Sequence, residues 1–268
     1  MKFKLALCQM KGHTEKAAAH ASAKAYIREA AGNGARVIAL PEIWNCPYSN
    51  KYFRAFAEDE SGESVRLMSA LAKENGVWLI GGSIPEIDGD NIYNTCYVFS
   101  PQGDRIGKYR KLHLFDIDIK GGVRFMESET LSPGDRRTVA DTEFCRIGIA
   151  ICYDARFPEL FAAMAADGAR LIVLPAAFTV PTGAAHWELL MRARALDNQI
   201  YFAACSPARD ANAPYHAYGH SCIVTPWGDF CGKTDANESI VYGDIDLDYL
   251  EEIRAQLPIG KQRRPAFY

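Results

Sequence analysis

A segment written GARVIALP at residues 34–41 returns as GARLIVLP at residues 168–175, and each copy follows an alanine-rich stretch of helical pattern. Repetition constrains a fold more tightly than a single motif does, because a sequence unit used twice builds one supersecondary unit twice. A second echo pairs PQGDRIGK (101–108) with PWGDFCGK (226–233), each after a short alternating run, TCYVFS or SCIVT, that reads as a strand entering a turn. Both halves therefore carry one order: strand, helix, buried strand, further elements, hairpin.

The local signals fit that order. FKLALCQM (3–10) reads as a strand, residues 14–31 as a helix stopped by Gly32 and Gly34, and Val37 to Leu40 as a buried strand. A helix over 62–74 places Val65, Met68, Leu71 and Ala72 on one face, and VWLIGGS follows as a strand. In the second half, 146–151 is a strand, Pro158 opens a helix running to Ala166, 171–174 is the next strand, and 183–199 is the longest helix. Buried strands alternating with amphipathic helices, present in two copies, predict an α/β architecture of two sheets packed face to face with helices outside. No Ser/Gly/Pro-rich linker divides the copies, so residues 1–268 are expected to form one domain.

Composition narrows the class of partner. Thirty basic and 33 acidic side chains give a net charge of −3 with no block of like charges, which leaves nucleic-acid and polybasic membrane roles without support. No 18-residue apolar run occurs, and the apolar stretch of MKFKLALCQM is too short for a secretory signal. Eight cysteines lie scattered without a CxxC pair, a pattern expected of reduced thiols in the cytosol.

Chemistry enters where the copies differ. The first copy ends Leu-Pro-Glu, at Glu42, and the second Leu-Pro-Ala, at Ala176, so the fold unit itself does not require the carboxylate. Cys152 ends the first strand of the second half, where it is either a small buried hydrophobe or a nucleophile. Lys111, in GKYRKLHLFD, belongs either to a solvated cluster or, given Leu112, Leu114 and Phe115 beside it, to an apolar site. Reactive groups gather beyond the carboxyl ends of strands in such sheets, and these three residues make chemical sense together. A thiol needs a base, which Glu42 supplies, while Lys111 and the backbone N–H of Tyr153 meet an oxyanion. His113 is a less favoured base. The pair His216/His220 spans Gly219 without a zinc motif, Gly81-Gly82 lacks a dinucleotide fingerprint, and no GxSxG is present.

The stretches LPEIWNCPY, KYRKLHLFDIDI, ESETLSPGD, CYDARFPEL, HWELLMRARALDNQ and YGDIDLDYLEEIR, in order over nearly the whole chain, resemble the nitrilase superfamily of carbon–nitrogen hydrolases, and within it the omega-amidase branch. The segment after Pro181 and the closing PAFY depart from that branch. The resemblance implies a four-layer α-β-β-α sandwich, with Glu42 as general base, Lys111 as oxyanion stabiliser and Cys152 as nucleophile. It adds Glu127, which the residues alone leave as a loop charge, as a second active-site glutamate. It implies amide hydrolysis through a thioester, needing neither metal nor organic cofactor, on short dicarboxylate monoamides such as 2-oxoglutaramate and succinamate. A deaminated-glutathione amidase or an N-carbamoyl amide hydrolase is the alternative. The substrate's carboxylate then calls for donors, for which the candidates are Tyr48, Arg156, Phe178 and Thr179; Tyr48 reads equally as a packing aromatic, and Arg156 as a partner of Asp154 or Glu159. A homodimer is expected, on the view that Trp187, Leu190, Leu247, Leu250 and Ile253 exceed one sandwich's needs.

Overall fold

The computed structural model describes residues 1–118, 124–213 and 215–267. Ile119, the last residue of the stretch KYRKLHLFDIDI, and Tyr268, the last of PAFY, lie outside them.

The first half contributes β1 (Lys2–Gln9), β2 (Val37–Ala39), β3 (Trp78–Ile80), β4 (Ile84–Asp88), β5 (Asn91–Phe99) and β6 (Arg105–Arg110) to one sheet. A two-stranded ribbon, β7 (Asp116–Asp118) and β8 (Arg124–Met126), follows. The second sheet holds β9 (Thr138–Asp141), β10 (Arg146–Ile149), β11 (Ala169–Pro175), β12 (Tyr201–Cys205), β13 (Cys222–Val224) and β14 (Phe230–Lys233). The chain then returns to the first sheet as β15 (Ser239–Asp246).

The repeat seen in the sequence is a repeat in space. Strands β1, β2 and β3 are parallel neighbours, as are β10, β11 and β12. The two Pro-x-Gly-Asp turns join the antiparallel pairs β5–β6 and β13–β14. Helices α1 (Lys16–Gly32), α2 (Asn50–Phe56) and α3 (Glu63–Asn75) belong to the first half, α4 (Pro158–Ala166) and α5 (Val180–Asn198) to the second. Helix α5 starts earlier than its pattern predicts, because Pro181 fits the first turn, where an N–H is not needed. Beyond β15 come α6 (Leu247–Gln256) and α7 (Ile259–Gln262).

Side-chain alternation builds the layers. Leu5 and Leu7 of β1 join Val37, Ala39, Ile147, Ile149, Leu171 and Val173 in a core shared by both sheets. Ala6 and Cys8, on the opposite face of β1, pack with Ala23 and Ile27 of α1 and Met68 and Leu71 of α3. On the outer face of the second sheet Phe161 and Met164 of α4 and Trp187 and Met191 of α5 are buried. The result is helices, sheet, sheet, helices, the four-layer sandwich. Among the described residues no helix is long and apolar enough to cross a membrane.

One of the grounds for a homodimer is used up within the chain itself. Trp187 and Leu250 are fully buried, and Leu247 and Ile253 nearly so, within the single chain, while Leu190 packs half-buried against the same core. Helix α6 closes over the core shared by the sheets, so Trp187, Leu247, Leu250 and Ile253 are satisfied within one chain and give no support for or against a second copy.

Candidate active site

Four chemically distinctive residues meet at the carboxyl ends of the strands. Glu42 stands in the turn after β2, and residues 81–83 fasten that turn. Ser83 N–H donates to the Pro41 carbonyl (3.1 Å), Ser83 Oγ accepts from Ile43 N–H (3.0 Å), and Trp44 N–H donates to the Ser83 carbonyl (3.2 Å). Gly82 adopts φ +61°, and a Cβ there would lie 2.2 Å from the Pro41 carbonyl oxygen, so the close approach admits only glycine. Lys111 follows β6, with its N–H bonded to the Asn94 carbonyl (2.9 Å). Glu127 begins a short 3-10 turn after β8. Cys152 opens the 3-10 turn Cys152–Arg156 beyond β10, at φ 49°, a left-handed conformation uncommon for a residue other than glycine.

The polar contacts form one network. Glu42 Oε1 accepts from Lys111 Nζ (3.1 Å), Asn94 Nδ2 (2.9 Å) and the Tyr48 hydroxyl (3.3 Å), and Oε2 accepts from the Ala177 N–H (2.8 Å). That last donor lies one residue beyond Ala176, so the second copy of the repeat holds the acid that only the first copy carries. The Glu127 carboxylate accepts from Lys111 Nζ (2.9 Å), the Tyr48 hydroxyl (2.6 Å) and the Phe115 N–H (2.7 Å). The Cys152 thiol is close enough to the Glu42 carboxylate and the Lys111 ammonium for both charges to act on it. Glu127 and Lys111 are fully buried, and Glu42 and Cys152 nearly so.

Burial and charge set the protonation states. Burial raises the Glu42 pKa above the ordinary carboxylate value; Lys111 opposes the rise and Glu127 adds to it. Burial pulls Lys111 down, but the charges of Glu127, Glu42 and Cys152 outweigh it and hold its pKa above the usual lysine value. Burial also pushes the Cys152 thiol well up, with Glu42 adding to the rise and Lys111 opposing it. The resting sulfur is therefore a thiol, and any use of it as a nucleophile would need a base beside it.

The thiol faces a narrow cleft lined by Phe115, Tyr153, Arg156, Phe178, Thr179 and Tyr215. Tyr153 N–H lies in the first turn of the 3-10 segment, where backbone donors lack an intrahelical partner. Arg156 forms no ion pair among the described residues; it lies 5.6 Å from the Tyr153 ring and 5.4 Å from the Phe178 ring, with His186 Nδ1 at 3.4 Å. It therefore holds neither Asp154 nor Glu159. The hydroxyl of Tyr48 is occupied by the two glutamates rather than turned to the far end of the cleft. His113 sits against Asp154 (Nδ1 to Oδ1, 2.7 Å). On the Glu42 side a cavity of about 330 Å³ adjoins the site, lined by Met10, His13, Trp44 and Tyr48 among others. Tyr215 borders both spaces, donates its hydroxyl to the Ala177 carbonyl, and packs its ring 4.6 Å from that of Tyr48.

Three participants escaped the sequence reading. Asn94 sits in an alternating strand and looks like any inward polar residue. Tyr215 lies between β12 and β13, far from any strand end, with no motif to single it out. Asp154 stood out only as a neighbour of Cys152 and a possible partner of Arg156.

This fold is that of the nitrilase superfamily: a solved structure of Saccharomyces cerevisiae Nit3, described as a member of branch 10 of that superfamily, superposes with a TM-score of 0.91 at 42% identity, covering 98% of this chain and 97% of that one. Residues 4–255 match the carbon-nitrogen hydrolase family, and the chain belongs to it. Omega-amidase NIT2-B of Xenopus laevis is 54% identical over 267 residues, covering 100% of this chain and 97% of the relative. Omega-amidase NIT2 of Homo sapiens is 52% identical over 266 residues, covering 99% and 96%.

Proposed function

We propose that this hydrolase is an omega-amidase, working as one cytosolic domain and releasing ammonia from the terminal amide of short dicarboxylate monoamides such as 2-oxoglutaramate and succinamate. The observation that carries the reading is Arg156, a guanidinium without a carboxylate partner among the described residues, in the cleft of Cys152 and four residues from it. A fixed planar cation flanked by aromatic rings is suited to a carboxylate through paired donors. The full-length identity to proteins named omega-amidases supports the same assignment.

The reaction follows from the network. Cys152 Sγ attacks the amide carbon as its proton passes to Glu42, and the charge gathering on oxygen is met by Lys111 Nζ and the Tyr153 N–H. When the C–N bond breaks, Glu42 returns that proton to the departing nitrogen and ammonia leaves a thioester on Cys152. Water, giving its proton to Glu42, then attacks the thioester, and the C–S bond breaks as the proton returns to sulfur. Glu127 keeps the Lys111 ammonium charged and directed, since three of its donors lie within 2.9 Å.

Two outcomes test this. Succinamate should exceed both its methyl ester and butyramide in kcat/KM by about tenfold or more, the value of one charge-assisted pair, and Arg156→Lys should shrink that margin. Equal rates on all three would assign a general aliphatic amidase. The pH profile is the second. Glu42 acts as a base only when ionised and its pKa is raised, so kcat/KM should fall on acidification at a pH above the usual glutamate value of about 4.3. A limb at or below that value would move the base role elsewhere.

A further inference from the structure

Asp154, two residues beyond Cys152, is fully buried and receives four hydrogen bonds on its carboxylate. Its Oδ2 accepts from the Tyr109 hydroxyl (2.7 Å) and the Ile151 N–H (2.8 Å). Its Oδ1 accepts from the His113 N–H (3.0 Å) and lies 2.7 Å from His113 Nδ1.

These partners come from both sheets. Tyr109 lies on β6 and His113 two residues past Lys111, so both belong to the first sheet and the loop that carries the lysine. Ile151 directly precedes Cys152 at the end of the second sheet. The His113 ring adds a second tie, stacking on Phe157 with centroids 3.6 Å apart. Lys111 is otherwise anchored on its own side, through its N–H to Asn94 and its carbonyl to the Gly134 N–H (2.8 Å). A left-handed Cys152 persists only where its surroundings fix it, and the bond from Ile151 N–H to Asp154 fixes the peptide just before it.

We propose that Asp154 is a positioning residue for hydrolysis, a clamp that holds the loop of Lys111 against the turn of Cys152 and so sets the spacing of ammonium and thiol across the two sheets. The proposal rests on the amidase reading of this site. His113, which sequence reasoning considered as a base, acts here through Asp154.

The test compares Asp154→Asn, Tyr109→Phe, His113→Ala and the Asp154→Asn/His113→Ala double variant with the wild type. The readouts are succinamate hydrolysis and the rate at which iodoacetamide alkylates Cys152 as pH is varied. An amide at position 154 sets an NH2 group against donors, so Asp154→Asn should lower kcat by roughly ten- to a hundredfold with KM changed by less than about threefold. The thiol's apparent pKa in alkylation should rise, because Lys111 no longer stands where it stabilises the thiolate. Tyr109→Phe and His113→Ala should show smaller changes of the same kind. The double variant should lose no more than Asp154→Asn alone, since both changes act through one carboxylate. An unchanged alkylation profile, with activity falling only as the folded fraction falls, overturns the proposal. Should Asp154→Asn fail to fold, His113→Ala carries the same readout at a ring that is 31% exposed. A wild type that does not hydrolyse succinamate defeats the omega-amidase reading, while the alkylation profiles still decide the clamp.

Discussion

Cys152→Ala is expected to lose amide hydrolysis by about four orders of magnitude or more while keeping its fold. The thiol is the sole group the proposed mechanism has to form the acyl bond, and removing one member of a catalytic unit costs about as much as removing all. The structural cost is small. Alanine keeps the Cβ, tolerates the same left-handed backbone about as well as cysteine does, and removes one sulfur from a position 4% exposed. A loss near 1 kcal/mol would shift the melting temperature of a chain this size by roughly 2–4 °C. Mass spectrometry of the wild type with a slow amide should show an acyl adduct on Cys152 that the variant lacks. Substantial residual turnover in the variant would remove the thioester from the mechanism. Glu42→Gln is expected to fall nearly as far, and a fully active Glu42→Gln enzyme would pass the base role to Glu127 or His113.

Lys111→Met should cost both activity and stability, and the stability loss should depend on pH. The lysine is fully buried between Glu42 and Glu127, at 3.1 and 2.9 Å. Without it two buried carboxylates share the Tyr48 hydroxyl with no cation between them. Breaking a buried ion pair from one side costs about 3–5 kcal/mol, which is on the order of 6–20 °C in melting temperature. The orphaned pair relieves part of that repulsion by holding a proton, so its folded pKa rises above the unfolded value of about 4.3. A group raised in this way leaves stability intact below the unfolded pKa and withdraws it as pH climbs toward the folded pKa. Lys111→Met should therefore melt closest to wild type in acid and fall progressively behind toward neutral pH. A deficit that is constant across pH would mean that the carboxylates are not coupled through the lysine. Hydrolysis should drop by at least a hundred- to a thousandfold, the value of one oxyanion donor.

Much of this was legible because the chain repeats itself. The echo of GARVIALP in GARLIVLP marks β2 and β11, and the difference between Glu42 and Ala176 at their ends separates scaffold from chemistry. Lys111 and Cys152 stand out by their places at strand ends. What stayed hidden depends on long-range geometry. Asn94 and Lys111 are joined because β5 and β6 are neighbours, and Tyr215 reaches Tyr48 across 167 positions of sequence. Glu127 gave no local signal, since its partners Lys111, Tyr48 and the Phe115 N–H converge only after folding. The surplus assigned to Leu247, Leu250 and Ile253 was misjudged for a related reason. Their helical spacing reveals an apolar face, but not whether that face meets another molecule or the chain's own core.

The pairing of β1 with β15, from Lys2 against Asp246 to Gln9 against Ser239, also has a consequence in time. The edge of β1 that faces away from β2 meets its partner only when residues 239–246 emerge from the ribosome. At about 5–20 residues per second, synthesis leaves that edge uncovered for roughly ten to fifty seconds. Lysines at positions 2 and 4 sit along it, and charged side chains of this kind discourage pairing with a foreign strand. The same pairing means that neither copy of the repeat can mature alone, because the final strand of the second completes the sheet of the first.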